Sequence, residues 1–331
     1  MPLLNQLHWR RRAQPILSAM TTRQPWCRVQ LYNPTVIKID GTYKMWYVGN
    51  STATRIGDMD LGYAESDDGL QWTPYPGNPI LTGADLPEGT SWQTPHVMFD
   101  DDLKLYRMWF VTSSGGNSEP KGTPTFSKLG YASSKDGIHW LVHPATLYDE
   151  VRRPCVLKND DGSYQMWMGA RPSRPPASED RKAVTKNIFR FESGDGLVWT
   201  RDPEPAVATN EDRIIVYPCV VRNESGYTMW YGRTAEKGIF EAYCSTSIDG
   251  LKWDHHYEHA ALAATRDPDT FDGRYISTPC ILEDDDRYLM YYSARDYGTI
   301  YGAGDGSIKV DKAAIYRHIG VAISDKLYSR P

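Results

Sequence analysis

Apolar and polar residues alternate along this chain in short runs, and one run keeps returning. Tyr43-Lys44-Met45-Trp46-Tyr47 is followed by Tyr106-Arg107-Met108-Trp109-Phe110, Tyr164-Gln165-Met166-Trp167-Met168, Tyr227-Thr228-Met229-Trp230-Tyr231 and Tyr288-Leu289-Met290-Tyr291-Tyr292. Alternation on this scale predicts strands with one buried face. The copies stand roughly 60 residues apart, a period that suits propeller blades and is too long for most solenoids.

Each unit predicts four strands. The first opens on a residue–Pro step: Asn33-Pro34, Thr94-Pro95, Arg153-Pro154, Tyr217-Pro218 and Thr278-Pro279. Proline is tolerated at a strand's start, where no ladder donor is lost. An acidic or Gly-containing hairpin turn follows, as at Asp40-Gly41 and Asp160-Asp161-Gly162. The Met-Trp run is the second strand. The third reads Leu61-Gly62-Tyr63-Ala64 in the first unit and Leu129-Gly130-Tyr131-Ala132 in the second. Asp68-Gly69, Asp136-Gly137, Asp195-Gly196 and Asp249-Gly250 then turn the chain toward Trp72, Trp140, Trp199 and Trp253, which open the fourth strand.

The fifth unit stops near Asp325 without a fourth strand. His8-Trp9 and Pro15-Ile16-Leu17 match Gln71-Trp72 and Pro79-Ile80-Leu81, so residues 7–18 are expected to supply it and close the ring. The expectation is an all-β chain, residues 1–331 forming one five-bladed β-propeller of four-stranded antiparallel blades. The blades fall near 30–82, 91–147, 150–208, 214–263 and 275–326 plus 7–18. Insertions at Ser113–Ser127, Arg171–Lys186 and Asp296–Arg317 all join second to third strands, so they should crowd one end.

Composition narrows the chemistry. The formal charge of −5 argues against a nucleic-acid partner. No apolar run of membrane-spanning length occurs, and no apolar segment follows Arg10-Arg11-Arg12, so neither a membrane partner nor a secretory signal is expected. Cys155, Cys219 and Cys280 each follow a blade Pro and read as buried fillers rather than disulfides, which fits a cytoplasmic location. No metal or cofactor motif is present.

The order of residue–Pro strand, acidic turn, Tyr-x-Met-Trp-Tyr strand, Gly-Tyr-Ala strand and Asp-Gly-x-x-Trp resembles the five-bladed propellers of glycoside hydrolase families 32, 43, 68 and 130, over essentially the whole chain. The resemblance implies a sugar-binding funnel at the ring axis, ringed by carboxylates. In families 32 and 43 the base is an Asp directly before the first blade Pro. Here the five residues at that station are Asn33, Thr94, Arg153, Tyr217 and Thr278, none of them acidic. Asn33-Pro34 is similar to the Asn-Pro of the family 130 mannoside phosphorylases, but Gln93-Thr94-Pro95-His96 stands where their next acidic motif belongs.

Counting along the repeats assembles the expected axial mouth. Asn33, Gln93, Thr94, Arg152, Arg153, Tyr217 and Thr278 come from first strands, and Arg171, Arg233 and Arg295 from the ends of second strands. Asp60, Glu241 and His318 precede third strands. His96 and Trp92 flank the set, and Trp92 offers a stacking face. Arginines concentrated in a net-acidic chain point to an anionic ligand: a uronate, a sialate-like acid, a phosphosugar or a nucleotide sugar. Displaced acid–base chemistry would fall to Glu241, Asp60, Tyr217 and His318. Three readings stay open. One is a glycosidase-like enzyme, another a non-catalytic glycan-binding module or pseudoenzyme. The third is a biosynthetic transferase or cyclase on the same fold.

Overall fold

A computed structural model of the chain describes residues 4–51, 59–87, 91–113, 127–170, 187–208, 215–236, 238–298, 300–302, 308–310 and 315–326. The chain is all-β apart from three short 3-10 turns among these residues. The first strands of the five units are Gln30–Ile39, Ser91–Asp100, Val151–Lys158, Ile215–Asn223 and Tyr275–Glu283. Each pairs antiparallel with a second strand: Thr42–Asn50, Leu105–Ser113, Tyr164–Ala170, Gly226–Glu236 or Arg287–Arg295. Third strands Asp60–Ser66, Ser127–Ser134, Asn187–Ser193, Ile239–Ser247 and His318–Asp325 continue each sheet. The first four units add a short fourth strand. In the fifth, Arg10↔Ile323 and Leu17↔Ile319 pair the N-terminal residues with the third strand.

The first strands neighbour one another in chain order, and the fifth also neighbours the first. The residue after each blade Pro bonds to the backbone of the next unit. Thr35 Oγ1 accepts the Val97 N–H at 3.3 Å, and His96 Nε2 meets the Val156 carbonyl at 3.0 Å. The sulfurs of Cys155, Cys219 and Cys280 accept the N–H groups of Val220, Ile281 and Val36 at 3.1, 3.3 and 3.3 Å. The last of these bonds runs from unit five back to unit one. All five cysteines are free and buried.

The Trp residues bind the units further out. The indole N–H of Trp46 donates to the Gly137 carbonyl and that of Trp109 to Gly196, both at 2.7 Å, and Trp167 reaches Gly250 at 3.3 Å. Each acceptor lies in the Asp-Gly turn of the following unit, where φ is +75° to +81° and glycine is at home. Tyr291 does the same from unit five, donating to the Gly69 carbonyl at 3.0 Å. The fifth unit has no such turn, and the buried Nε1 of Trp230 is left without a partner while Trp9 packs edge-on against its ring.

Every first strand carries the same irregularity. The register slips between Tyr32 and Thr35, Gln93 and His96, Arg152 and Cys155, Val216 and Cys219, and Ser277 and Cys280. The residue before each Pro is left-handed: Asn33 (φ 55°), Thr94 (41°), Arg153 (41°), Tyr217 (65°) and Thr278 (50°). Outside glycine, such a backbone costs on the order of 1–3 kcal/mol, and β-branched Thr tolerates it poorly. Five bulges therefore kink the strands where they converge.

Candidate functional site

The mouth lies where the first strands begin. Tyr32, Gln93, Arg152, Val216 and Ser277 hold one register position, each just before its bulge. Tyr32 donates its hydroxyl to Gln93 Oε1 at 2.9 Å and stacks on Tyr316, ring centroids 5.1 Å apart. The Ser277 hydroxyl donates to the Tyr316 hydroxyl at 3.0 Å, and Tyr275 meets the Tyr316 ring edge-on. Arg295 completes the group. Its guanidinium lies 3.3 Å from the Tyr275 ring centroid and 4.7 Å from that of Tyr316. Arg295 is 5% exposed, and its Nε and Nη1 have no hydrogen-bond partner.

Burial shifts two of these phenols. It pushes Tyr316 up to about 12. It also raises Tyr32, with neighbouring Tyr217 adding to the shift and Gln93 and Arg152 opposing it. Both phenols therefore stay neutral and can donate hydrogen bonds at ordinary pH.

Beyond the proline step, the first strands of all five units line an axial cavity of 410 Å³. Arg153 borders it. Its Nη2 donates across from unit three to the Pro279 carbonyl of unit five at 2.8 Å. Its Nε and Nη1 are buried and have no partner, and the described residues hold no carboxylate in ion-pair range of it. Cys155, Cys219, Cys280 and Tyr217 are its electrostatic neighbours. Burial, with help from the Arg153 charge, lowers His96 to about 4, so that imidazole is neutral near pH 7. Among the described residues no group of three His, Cys, Asp or Glu side chains could hold a metal ion.

The remaining sequence candidates are spread over several places. Asn33 and Thr278 are joined through Ser293, whose Oγ accepts the Asn33 N–H at 2.8 Å and bonds the Thr278 hydroxyl. The Oδ1 of Asn33 and Oγ1 of Thr94 are buried without partners. Trp92 is wholly buried against Phe110 and donates to the Thr82 carbonyl, so its ring has no face left for a sugar. Its neighbour Gln93 takes the mouth-facing position, because adjacent strand residues point to opposite faces. His96 is spent on the inter-unit bond to Val156.

Arg233 stacks over Tyr243 and Tyr257, the second of which follows the outer strand Asp254–His256. Glu241 is 3% exposed and holds Arg266 at 2.6 Å and the Ala264 N–H at 3.2 Å. Asp60 accepts the Gly83 N–H at 3.3 Å. His318 sits between Ser18 at 2.9 Å and Asp296 at 3.2 Å, and Asp296 also binds Arg317. Burial opposes ionisation of Asp296, but His318 and Arg317 outweigh it and keep the carboxyl below its ordinary range. Arg171 lies outside the described residues, as do all of Arg171–Lys186, nearly all of Ser113–Ser127 and part of Asp296–Arg317.

Tyr32, Tyr275, Ser277 and Tyr316 cluster with Arg295 and were not singled out by sequence reasoning. Tyr32 and Ser277 were reachable, since they share the register of Gln93 and Arg152. Tyr316 lies in an insertion, outside the sequence that the units repeat.

No protein-family model matches the chain. Two curated proteins of Mycobacterium tuberculosis, the uncharacterized proteins MT1551 (strain CDC 1551 / Oshkosh) and Rv1502 (strain ATCC 25618 / H37Rv), are each 27% identical over 186 residues, or 53% of this chain. The match spans 59% of the length of those relatives. Solved structures agree over nearly the whole chain. The protein BT0996, solved as a complex with RGII, superposes with a TM-score of 0.72 at 16% identity, covering 99% of this protein and 93% of that one. A structure from the GH130 family of mannoside phosphorylases gives 0.68 at 15%, covering 99% and 96%. A thermostable family-43 glycoside hydrolase gives 0.60 at 16%, covering 89% and 97%.

The fold is that of the propeller-type glycoside hydrolases. The resemblance read from the repeats therefore holds across the chain, and it rests on architecture, since identity is low throughout.

Proposed function

We propose that residues 1–331 form one five-bladed propeller, its last blade completed by residues 7–18, and that its mouth binds a sugar carrying an anionic group. The observation that carries this reading is Arg295. A guanidinium stays charged, yet this one is buried against Tyr275 and Tyr316 with two nitrogens unpartnered. A cation left this way is costly unless an acceptor arrives, and an acidic ligand group supplies one. Tyr32, Tyr316 and Gln93 add hydrogen-bonding groups of the kind that fix sugar hydroxyls.

Binding is favoured over glycosidic cleavage. Hydrolysis needs two carboxyl groups across the scissile bond. Among the described residues, Glu241 is engaged by Arg266 and Asp296 by Arg317 and His318, while Asp60 accepts the Gly83 N–H. Structural neighbours of this fold include a protein in complex with RGII and a deacetylase in complex with a blood group B trisaccharide, which supports a carbohydrate ligand.

Calorimetric titration with glucuronate and galacturonate, against glucose and galactose, tests the reading. The acids should bind saturably, more weakly as salt rises, and about tenfold or more weakly in Arg295→Met. Mass spectrometry of the same mixtures should show the ligand unchanged. Equal binding of neutral and acidic sugars, or indifference to the Arg295 substitution, would remove the anionic assignment. Appearance of a cleaved or transferred product would replace binding with catalysis.

A further inference from the structure

We infer a second anion site inside the axial cavity, formed by Arg153 and distinct from the Arg295 mouth, which takes a compact oxyanion such as sulfate, phosphate or a carboxylate. Arg153 is 4% exposed and borders the 410 Å³ cavity that the five first strands line. One of its nitrogens reaches the Pro279 carbonyl; the other two are buried with no acceptor. A neutral carbonyl does not balance a full positive charge. Elsewhere on the cavity wall, Lys158 is paired with Asp100 and Asp102, Arg222 with Asp160, and Glu283 with Lys326. Arg153 is thus the one cation on that wall, among the described residues, whose charge has no acidic partner.

Other means of balancing the charge are weak. Guanidinium does not shed its proton in proteins. His96 is adjacent but neutral, and a neutral thiol brings no negative charge; Cys155, which the Cys219 hydrogen bond and the Arg153 charge draw below the usual thiol range, is the one competing counter-charge. Two of the three neighbouring sulfurs also serve as acceptors for Ile281 and Val36 on the cavity wall, and the third for Val220. The position is well suited to hold an anion in place: the backbone of Arg153 is fixed by its bulge and by Pro154, and its side chain crosses the axis.

The oxyanion has two sources. One is a free inorganic anion; the other is the acidic group of a sugar that enters the mouth, which rests on the sugar-binding reading above but moves the acid from Arg295 to Arg153. Titration of the full chain with sodium sulfate, at ionic strength held constant with sodium chloride, separates them. Saturable sulfate binding that weakens about tenfold or more in Arg153→Met and persists in Arg295→Met supports the site with a free anion. Glucuronate binding that sulfate displaces, that Arg153→Met abolishes and that Arg295→Met leaves intact supports the site with the sugar's own acid, in place of the Arg295 assignment. Both substituted chains are checked by circular dichroism, and Arg153→Lys, which keeps the charge, should retain part of the affinity. Equal sulfate response in wild type and Arg153→Met overturns the inference. So does thiolate ultraviolet absorbance at neutral pH that disappears in Arg153→Met, because a cysteine would then be the missing counter-charge.

Discussion

Replacing Asp100 with Asn should destabilise the chain by about 3 kcal/mol near neutral pH. Asp100 ends the first strand of unit two, and its side chain is wholly buried. Oδ1 accepts Lys158 at 2.7 Å and the N–H groups of Asp102 and Leu103 at 3.2 and 3.3 Å. Oδ2 accepts the Tyr164 hydroxyl at 2.7 Å and Arg107 at 3.5 Å. Lys158 and Tyr164 belong to unit three, so one carboxylate stitches two units. Asn keeps the shape but removes the charge and turns an N–H donor toward donors. Breaking a buried pair on one side costs roughly 3–5 kcal/mol. The lower end applies, since Lys158 keeps Asp102 at 2.6 Å and Arg107 keeps the Asp195 carbonyl at 2.7 Å.

The pH dependence gives a second route to the same magnitude. Burial raises the Asp100 pKa, but Lys158, Tyr164 and the turn N–H groups outweigh it and bring it from 3.8 down to about 2. A depressed carboxyl contributes stability that is complete above the unfolded pKa and is lost as pH falls through the folded one. The window is therefore about pH 4 to pH 2, and nearly two units correspond to about 2–3 kcal/mol. Urea unfolding of wild type and Asp100→Asn at neutral pH and in that window is the assay. The two should differ by about 3 kcal/mol at neutral pH and converge toward pH 2. Equal midpoints at neutral pH, or a gap that widens in acid, would refute the reasoning.

Gly196→Ala should cost about 2–3 kcal/mol in thermal or urea unfolding, because its φ is +78° and a Cβ would stand 2.9 Å from Trp109. Gly162→Ala, at φ +85° with open space around it, should lose only about 1 kcal/mol, and equal losses would argue against the packing part. Glu241→Gln should lower stability by about 1–2 kcal/mol through Arg266 and Ala264 while leaving acidic-sugar affinity unchanged; calorimetric titration reads the second outcome. The five buried thiols should resist an aromatic disulfide reagent in the native chain and react together on unfolding; rapid native labelling of Cys155, Cys219 or Cys280 would mean the axial cavity opens.

The fold was legible because its signals are local and repeated. Alternation marked the strands, Asp-Gly-x-x-Trp marked the turns, and Trp9 marked an N-terminal segment that does pair with the fifth unit's third strand. The site was less legible because counting along a repeat fixes a backbone position and not a side-chain direction. Arg233 and Arg295 occupy equivalent places, yet Arg233 lies over Tyr243 and Tyr257 while Arg295 lies over Tyr275 and Tyr316. Trp92 and Gln93 differ by one residue and therefore by one face. Glu241 looked like a free rim carboxylate because Arg266, 25 residues on, gives no local sign of pairing with it. Tyr316 comes from an insertion, where no repeat points to it.

The left-handed residues before the prolines bear on why the hub has these side chains at all. If the bulge were only a kink, glycine or asparagine would serve with little strain. Asn33 fits that rule, but Thr94 and Thr278 are β-branched at φ 41° and 50°. Thr278 at least bonds Ser293, whereas the Thr94 hydroxyl is buried and unpartnered, so nothing in the described fold offsets its strain. Thr94→Gly should relieve on the order of 1–3 kcal/mol of strain and give back about 1 kcal/mol to unfolded-chain entropy. The net expectation is unchanged or raised stability, with weaker ligand binding as the hydroxyl is lost. Thr94→Val keeps the strain and drops only the hydroxyl, so it should weaken binding without the stability gain. A Thr94→Gly chain that unfolds at lower urea and binds normally would mean that Thr94 serves packing alone.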